Sequence, residues 1–338
     1  MLGGALIKKE NIYSDLSDNN EKGAKLLASG SSSCVFRPNI PCIDSNDKQD
    51  NDKISKIVYG KKSDKYLKRE KKINNTIKKI KDYKKWALIY NHFCKAPLYT
   101  NILKHYDKDI VDCMDKYYEE RFNNTNNMMI GVYGGDTFDD YFINNILKKK
   151  SIDKPIYKLL IKMQPLFYGL TKLYENNISH LDIKVNNIVI HDKEFKYIDF
   201  GLSSKIEDTN NFKDRSLSEL DTKRFYLWYP LEYIYSNISN KNIEYELLKI
   251  SKRKYYEKGV NIYKLLNFDF NEIANNSIKQ KIKNHKELYS MIDVFSLGIM
   301  IPYLFIDYNL TKHLKKSAFL TDLFNLFERM CHPNYDKR

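Results

Sequence analysis

Eight residues, HLDIKVNN at 180–187, set a histidine, an aspartate, a lysine and an asparagine among apolar neighbours. Twelve residues beyond Asn187 comes Asp199, first of the triplet Asp-Phe-Gly that ends at Gly201. Written as H-x-D-x-K-x-x-N and D-F-G, the two stretches fix seven positions. At about one chance in twenty per position, random agreement is on the order of one in a billion per starting point. A polar loop followed by an ordinary turn does not account for that. The flanks narrow the fold further. The segment 155–177 reads as a long amphipathic helix with Pro155 near its start and Pro165 as a candidate kink. After the eight residues, NIVIH and FKYIDFG flank a turn at Asp192–Lys193, as two short strands would. The polar cluster therefore lies on a loop between a helix and a hairpin.

The remaining chain divides by pattern. The polar residues 1–22 read as an arm or a short leading helix. AKLLASGSSSCVFRPNI (24–40) reads as strand, small-residue turn and strand. In KISKIVYG (53–60), Ile54, Lys56 and Val58 share one strand face and Ser55 and Ile57 the other. From about 62 to 80, Tyr66, Glu70, Ile73 and Ile77 recur at helical spacing. NMMIGVYGG (127–135) is strand-like and stops at a Gly-Gly break, after which the chain turns mostly helical. With 338 residues and 42% hydrophobic content, the chain can build one large or two modest cores. The expected class is α+β, strand-rich over 23–132 and helix-rich over 133–338.

Charge and cysteine usage bound the partners and the compartment. The net charge of +14 admits nucleic acid or acidic lipid. The lysines are spread over many segments, however, so nothing beyond the charge indicates a nucleic-acid partner. The longest nearly apolar run, FSLGIMIPYLFI (295–306), is too short to span a bilayer and contains Pro302. The start, MLGGALIKKE, lacks a secretory apolar region, and Leu2 gives no myristoylation signal. Five cysteines, Cys34, Cys42, Cys94, Cys113 and Cys331, form an odd set with no C-x-x-C spacing. That argues against a disulfide framework or a structural zinc site, Cys34 and Cys42 being the closest pair, and fits a soluble protein in a reducing, intracellular compartment.

These motifs resemble the protein kinase family from about residue 24 to the end of the chain, with insertions. The Asn-, Lys- and Tyr-rich style, GSSSCVFRPNIPC (30–42) and ISK (54–56) are similar to the divergent serine/threonine kinases of large nucleocytoplasmic DNA viruses. The resemblance implies a bilobal protein kinase-like fold, a small β-rich N-lobe and a larger helical C-lobe. It implies ATP and Mg2+ as cofactors, a protein substrate with a Ser or Thr acceptor, and a location in host cytoplasm or virion. The alternatives are a pseudokinase or scaffold that binds nucleotide or partners without efficient catalysis, and a small-molecule kinase on a related fold.

The chemistry explains the residue types. Phosphoryl transfer passes through a loose, highly charged transition state, so an enzyme mainly positions groups and neutralises oxygens. By resemblance, Asp182 orients the acceptor hydroxyl and takes its proton, and Lys184 sits by the γ-phosphate. Asn187 and Asp199 hold Mg2+, a hard cation that needs oxygen ligands. Lys56 takes the place of the family's strand lysine, with Lys53 as competitor on the opposite face, and Glu70 is its partner on the following helix. As an ordinary surface residue, Glu70 would instead make i,i+4 pairs with neighbouring lysines. Ile54 and Val189 line the adenine pocket. Aligned on Val35, the segment ASGSSSCV puts Ala28, Gly30 and Ser33 at the three glycine positions of the phosphate loop, where small residues still let backbone N–H groups approach phosphate. Asp136 meets the ribose or is a plain loop aspartate.

Departures carry information too. Leu181 replaces the arginine by which the family couples activity to a phosphorylated activation loop, which implies activity without that control. Phe225 stands near the position of the threonine that helps such kinases choose hydroxyls. YPLE (229–232) resembles the anchor whose Glu232 pairs with a late arginine, here Arg338. In IDVFSLGI (292–299), Asp293 resembles the residue that braces the catalytic-loop backbone. The stretch 233–288 between them is far too long for an ordinary loop and reads as a helical insertion for substrate or partner recognition.

Overall fold

The computed structural model describes residues 24–30, 33–43, 45, 48–58, 63–97, 127–220, 225–235, 243–279 and 284–338. The arm expected at 1–22 and Cys113 lie outside the described residues. The chain forms two compact units. The first holds the described residues up to Lys78 together with Leu88–Tyr133, and the second holds Lys79–Ala87 and Gly134–Arg338.

The first unit is an antiparallel sheet of five strands: β1 (Lys25–Ser29), β2 (Ser33–Arg37), β3 (Lys53–Val58), β4 (His92–Lys95) and β5 (Asn127–Val132), in the order β1-β2-β3-β5-β4. Period-two alternation decides its faces. Cys34, Phe36, Ile57, Met128 and Ile130 are in register on one face and form a buried core with Ile40, Cys42 and Ala96. Val35, Lys56 and Met129 are in register on the other face. Helix α1 (Ser63–Ile77) buries Glu70, Ile73 and Ile77, the stripe that the helical spacing predicts.

The cysteine reading needs correction. Cys42 and Cys94, 52 residues apart, are joined by a disulfide, and Cys34 is also disulfide-bonded. The Ile43 N–H donates to the Lys95 carbonyl at 3.0 Å, so the loop after β2 runs against edge strand β4 and brings the two sulfurs together. Tertiary pairing across a sheet edge leaves no short spacing motif, which is why the sequence hides it.

In the second unit, α2 (Phe138–Phe142) starts at a capping box, with Thr137 and Asp140 exchanging hydrogen bonds. Helix α3 (Asp153–Glu175) buries Ile156, Leu159, Met163, Leu166 and Leu173 on one face and stays continuous through Pro165. Gly169 lets the Trp86 ring lie against α3, because a Cβ there would sit 3.0 Å from ring atoms. Strand β6 (Ile178–Ser179) pairs with β9 (Ser204–Lys205), and β7 (Ile188–His191) with β8 (Glu194–Tyr197). The hairpin turns at Asp192 and Lys193, both left-handed.

The helices that follow are α4 (Thr209–Leu220), α5 (Leu231–Tyr235), α6 (Ile243–Ser251), α7 (Tyr256–Leu265), α8 (Phe270–Lys279), α9 (His285–Gly298), α10 (Met300–Asp307) and α11 (Ala318–Met330). The described part of 233–288 is thus largely helical. The span His285–Asp307 is long and apolar enough to cross a membrane, longer than the apolar run suggests, but 72% of its apolar window is buried within the protein, as in a core helix.

Candidate active site

In the first unit the chemistry gathers on the Lys56 face of the sheet. Lys56 is 2% exposed, and its ammonium lies 3.8 Å from the fully buried Glu70 carboxylate on α1. It also donates to the Tyr66 hydroxyl at 3.2 Å and faces the Tyr66 and Tyr90 rings. A buried charge of this kind persists only with such partners. The competing Lys53 is half exposed and pairs with Asp50 at 3.0 Å. Val35 is the direct cross-strand neighbour of Lys56, and Ile54 is two residues away on the same face. Ala28 is exposed on β1 opposite Val35. The Gly30 N–H donates to the Ser33 carbonyl at 2.8 Å and closes the β1–β2 hairpin, whose tip at 31–32 lies outside the described residues.

In the second unit HLDIKVNN forms a tight loop between β6 and β7. Its backbone is held by Asp293 on α9, which accepts from the Ser179 hydroxyl at 3.0 Å, the His180 N–H at 2.6 Å and the Leu181 N–H at 3.0 Å. Burial pushes the Asp293 carboxyl above its ordinary value, while His180 and these hydrogen bonds pull the other way. Leu181 has φ 61°, a left-handed conformation that a branched side chain adopts only when its surroundings impose it. Asp293 holds one side of that peptide, and the Tyr229 hydroxyl donates to the Leu181 carbonyl at 2.5 Å.

The loop converges on Asp182. Lys184 reaches both carboxylate oxygens, at 3.0 and 2.9 Å. Asn187 donates through its amide nitrogen to Asp182 Oδ2 at 2.7 Å and to the Asp182 carbonyl at 2.8 Å. Its amide oxygen takes no part in either bond. Asp199, with φ 61°, accepts from the Gly201 N–H at 3.4 Å. An amide oxygen and a carboxylate are the hard donors that Mg2+ takes, so Asn187 and Asp199 fit that ion. The buried Val189 and the Asp136 backbone meet on the β7 side, where the Ile190 N–H donates to the Asp136 carbonyl at 2.8 Å. Elsewhere, Cys42, His92 and Cys94 bring ligand atoms within 4.8 Å of one another, but the two sulfurs bond each other.

The segment after Asp199 adds residues that the spacing did not reveal. Tyr226, not Phe225, points to the site, and its hydroxyl donates to Asp182 Oδ1 at 2.5 Å. Phe225 turns instead to Phe270 on α8 and to Gly259 on α7, where a Cβ would come within 2.8 Å of the ring. Arg215 on α4 donates to the Tyr229 hydroxyl and pairs with Glu219 at 3.8 Å. Burial would lower the Arg215 pKa, but Tyr229, Tyr226, Asp182 and Glu219 around it raise it. Arg215 therefore supplies a fixed cation next to a loop whose position 181 is leucine. Arg253, from the insertion, donates to the Glu219 and Leu220 carbonyls at the end of α4. Glu232 forms an ion pair with Arg338, both buried. Burial raises the Glu232 pKa against the pull of Arg338.

Comparison with known proteins agrees with this geometry. The family described as the protein kinase domain matches residues 53–227, just over half of the chain. Among curated proteins, calcium-dependent protein kinase 4 of Plasmodium berghei (strain Anka) and its counterpart of Plasmodium falciparum (isolate 3D7) are each 30% identical over 122 residues. That stretch is 34% of this chain and 21% of each relative, so only about a fifth of those proteins is represented.

Proposed function

The chain belongs to the protein kinase family, and from that premise we propose that it transfers the γ-phosphate of ATP, with Mg2+, to serine or threonine hydroxyls of proteins. The observation that carries the proposal is the convergence of Lys184 and Asn187 on the Asp182 carboxylate. Asp182 accepts the acceptor proton as the new oxygen–phosphorus bond forms and the bond to the ADP oxygen breaks. Lys184 keeps positive charge beside that carboxylate and stabilises the transferred phosphoryl oxygens. When bound to Asn187 and Asp199, Mg2+ supplies the charge that neutralises the phosphates. Lys56, braced by Glu70, binds phosphate in the first unit, with Ala28, Gly30 and Ser33 shaping the hairpin above it. In the first unit Ile54 and Val35 have the base-contacting role that the resemblance implies, and in the second Val189 has that role and Asp136 the ribose-binding one. Lys184 two residues after Asp182 is what favours Ser and Thr over Tyr.

The activation segment is tied down without phosphate, through Arg215, Tyr229 and Arg253. Equal rates before and after phosphatase treatment are expected, and a large loss would reject this independence. The viral reading, with a location in host cytoplasm or virion, rests on the Asn-, Lys- and Tyr-rich style and on the resemblance of GSSSCVFRPNIPC (30–42) and ISK (54–56). The Cys42–Cys94 disulfide favours the virion, because disulfides persist in oxidising surroundings.

The test is transfer of labelled γ-phosphate from ATP with Mg2+ to mixed basic and acidic proteins. Wild type is compared with Asp182→Asn and Asp199→Asn. Each substitution is expected to lower transfer by roughly a thousand-fold or more, given that phosphoryl transfer depends on positioned charge. Transfer that survives both substitutions would sink the assignment. ATP binding without transfer in wild type would favour the scaffold.

A further inference from the structure

We propose that Cys42, Cys94 and His92 bind a zinc ion once the Cys42–Cys94 disulfide is reduced. The sheet edge is then tied by a sulfur–sulfur bond in oxidising surroundings and by a metal ion in reducing ones. The two cysteine sulfurs and a His92 ring nitrogen all lie within 4.8 Å of one another. Ligand atoms around one tetrahedral zinc stand roughly 3.5–3.8 Å apart, given Zn–S and Zn–N bonds of about 2.3 and 2.0 Å. The two cysteine Cα atoms are 6.0 Å apart, and with the disulfide open each sulfur can move among staggered positions about its Cα–Cβ bond. The backbone therefore already holds the three side chains at a distance that one ion can span.

The sheet explains the convergence. Side chains alternate along β4, so His92 and Cys94 share a face and Phe93 takes the other. The cross-strand neighbours of His92 and Cys94 are Ile130 and Met128, both in the core of the sheet. The Ile43 N–H to Lys95 carbonyl bond brings Cys42 to the same edge from the loop after β2. Burial is graded across the three residues: Cys42 is 5% exposed, Cys94 is partly buried and His92 is exposed. The thiols are thus sheltered, while the imidazole faces solvent, where an ion enters and water takes the fourth position. The His92 ring has no hydrogen bond or ion pair among the described residues, so no other group competes for its nitrogens.

The donor set fits the ion. Zinc takes thiolate and imidazole ligands, and two cysteines with one histidine leave an open position for water. Two small cellular thiols supply the reduction. The Cys42–Cys94 bond breaks, a new sulfur–sulfur bond joins the two small thiols, and their two electrons and two protons pass to Cys42 and Cys94. Zn2+ then displaces both protons, because it binds the thiolates. The cysteine usage of the sequence fits a reducing compartment, whereas a disulfide belongs to an oxidising one. A pair of cysteines that joins the same two segments in either state serves both.

The experiment is a zinc titration of the full chain without nucleotide, oxidised and again after reduction by a phosphine, which takes an oxygen from water as the two thiols form. Competition with a chromophoric chelator gives stoichiometry and affinity, and Co2+ in place of zinc reports thiolate ligation by its visible absorption. The reduced chain should bind one zinc that the oxidised chain does not. Replacing both cysteines, Cys42→Ser with Cys94→Ser, should abolish that gain. His92→Ala should weaken it roughly a hundred-fold or more, since losing a ligand costs at least as much as losing an outer-shell partner. His92 is exposed, so His92→Ala should melt like wild type in the oxidised form, and its result decides even if the serine variant does not fold. Three outcomes overturn the proposal. No zinc gained on reduction rejects the site. An equal gain in a folded double serine variant places the ion on other residues. Affinity unchanged by His92→Ala leaves an adventitious ion on two thiols and His92 an ordinary surface histidine.

Discussion

In the first unit a covalent tie joins two elements, Cys42 to Cys94 across the sheet edge. In the second, Cys331 stays a free, buried thiol whose pKa burial raises, and buried carboxylates tie distant segments. Glu232 meets Arg338 across 106 residues, and Asp293 holds the backbone of a loop more than 110 residues before it. A covalent staple works mainly by limiting the unfolded chain and needs no special interior. A buried carboxylate works in the folded state and fails if one partner is lost. The small sheet unit, with less core to offer, carries the staple. The helical unit, with a large core, carries the charges.

That contrast can be broken from either side, and the composition makes it measurable. Both tryptophans, Trp86 and Trp228, belong to the second unit, so their fluorescence follows that unit alone. The largest effect is expected from Arg338→Ala, which leaves Glu232 buried without its cation. A loss of roughly 3–5 kcal/mol is expected from breaking a buried pair. Tryptophan-monitored urea unfolding should show it, with hydrogen exchange in β2–β5 unchanged. A loss below about 1 kcal/mol, the value of a surface pair, would mean that the ionic tie contributes little.

Removal of Cys42–Cys94 alone, by replacing both cysteines with serine, is the mirror experiment. For a loop of 52 residues the chain-entropy account gives about 4 kcal/mol, with native-state strain and residual structure shifting the observed value. Faster hydrogen exchange in β2, β4 and β5 is expected, with the tryptophan transition unmoved. Equal exchange in wild type and the double serine variant would show that the hydrophobic core of the sheet suffices without this staple.

These two ties also mark the limit of what the sequence discloses. The spacing of His180, Asp182, Lys184 and Asn187 is local, so the pattern itself identifies the loop. The period-two and helical patterns likewise yield β3 and α1, and the family resemblance adds the pairing of Lys56 with Glu70. The disulfide could not be read, because Cys42 and Cys94 meet only after the sheet orders β4 against β5 and the β2 loop against β4. Tyr226 and Arg215 were hidden for the same reason: each reaches the loop through a chain return of more than 30 residues. Even the expectation for Phe225 missed by one residue, which in an irregular segment is enough to exchange a core ring for a hydroxyl at the carboxylate.

A smaller effect separates anchoring from ionic ties within the second unit. Tyr229→Phe removes the donor to the Leu181 carbonyl and the acceptor of Arg215. A cost of roughly 2–4 kcal/mol is expected, about 1 for the neutral bond to Leu181 and about 1.5–3 for the bond from charged Arg215, seen by tryptophan fluorescence together with faster exchange near Leu181. No change at either readout would mean that Asp293 alone fixes the left-handed turn.

The smallest effect tests the sign of the buried-charge argument. Asp293 has its pKa raised above the ordinary 3.8, mainly by burial. The folded state therefore binds its proton more tightly than the unfolded state does. The stability linked to that proton is fully present below 3.8 and is lost as pH rises through the raised folded value. Asp293→Asn has no such proton. It carries a constant penalty instead, since an amide cannot accept from Ser179, His180 and Leu181 as a carboxylate does. The stability of wild type minus that of the variant should thus fall as pH rises from 3.8 and then level off. Tryptophan-monitored urea unfolding at a series of pH values measures it. A difference that climbs with pH would show that the hydrogen bonds and His180 outweigh burial, and that the ionised carboxylate itself is what the fold prefers.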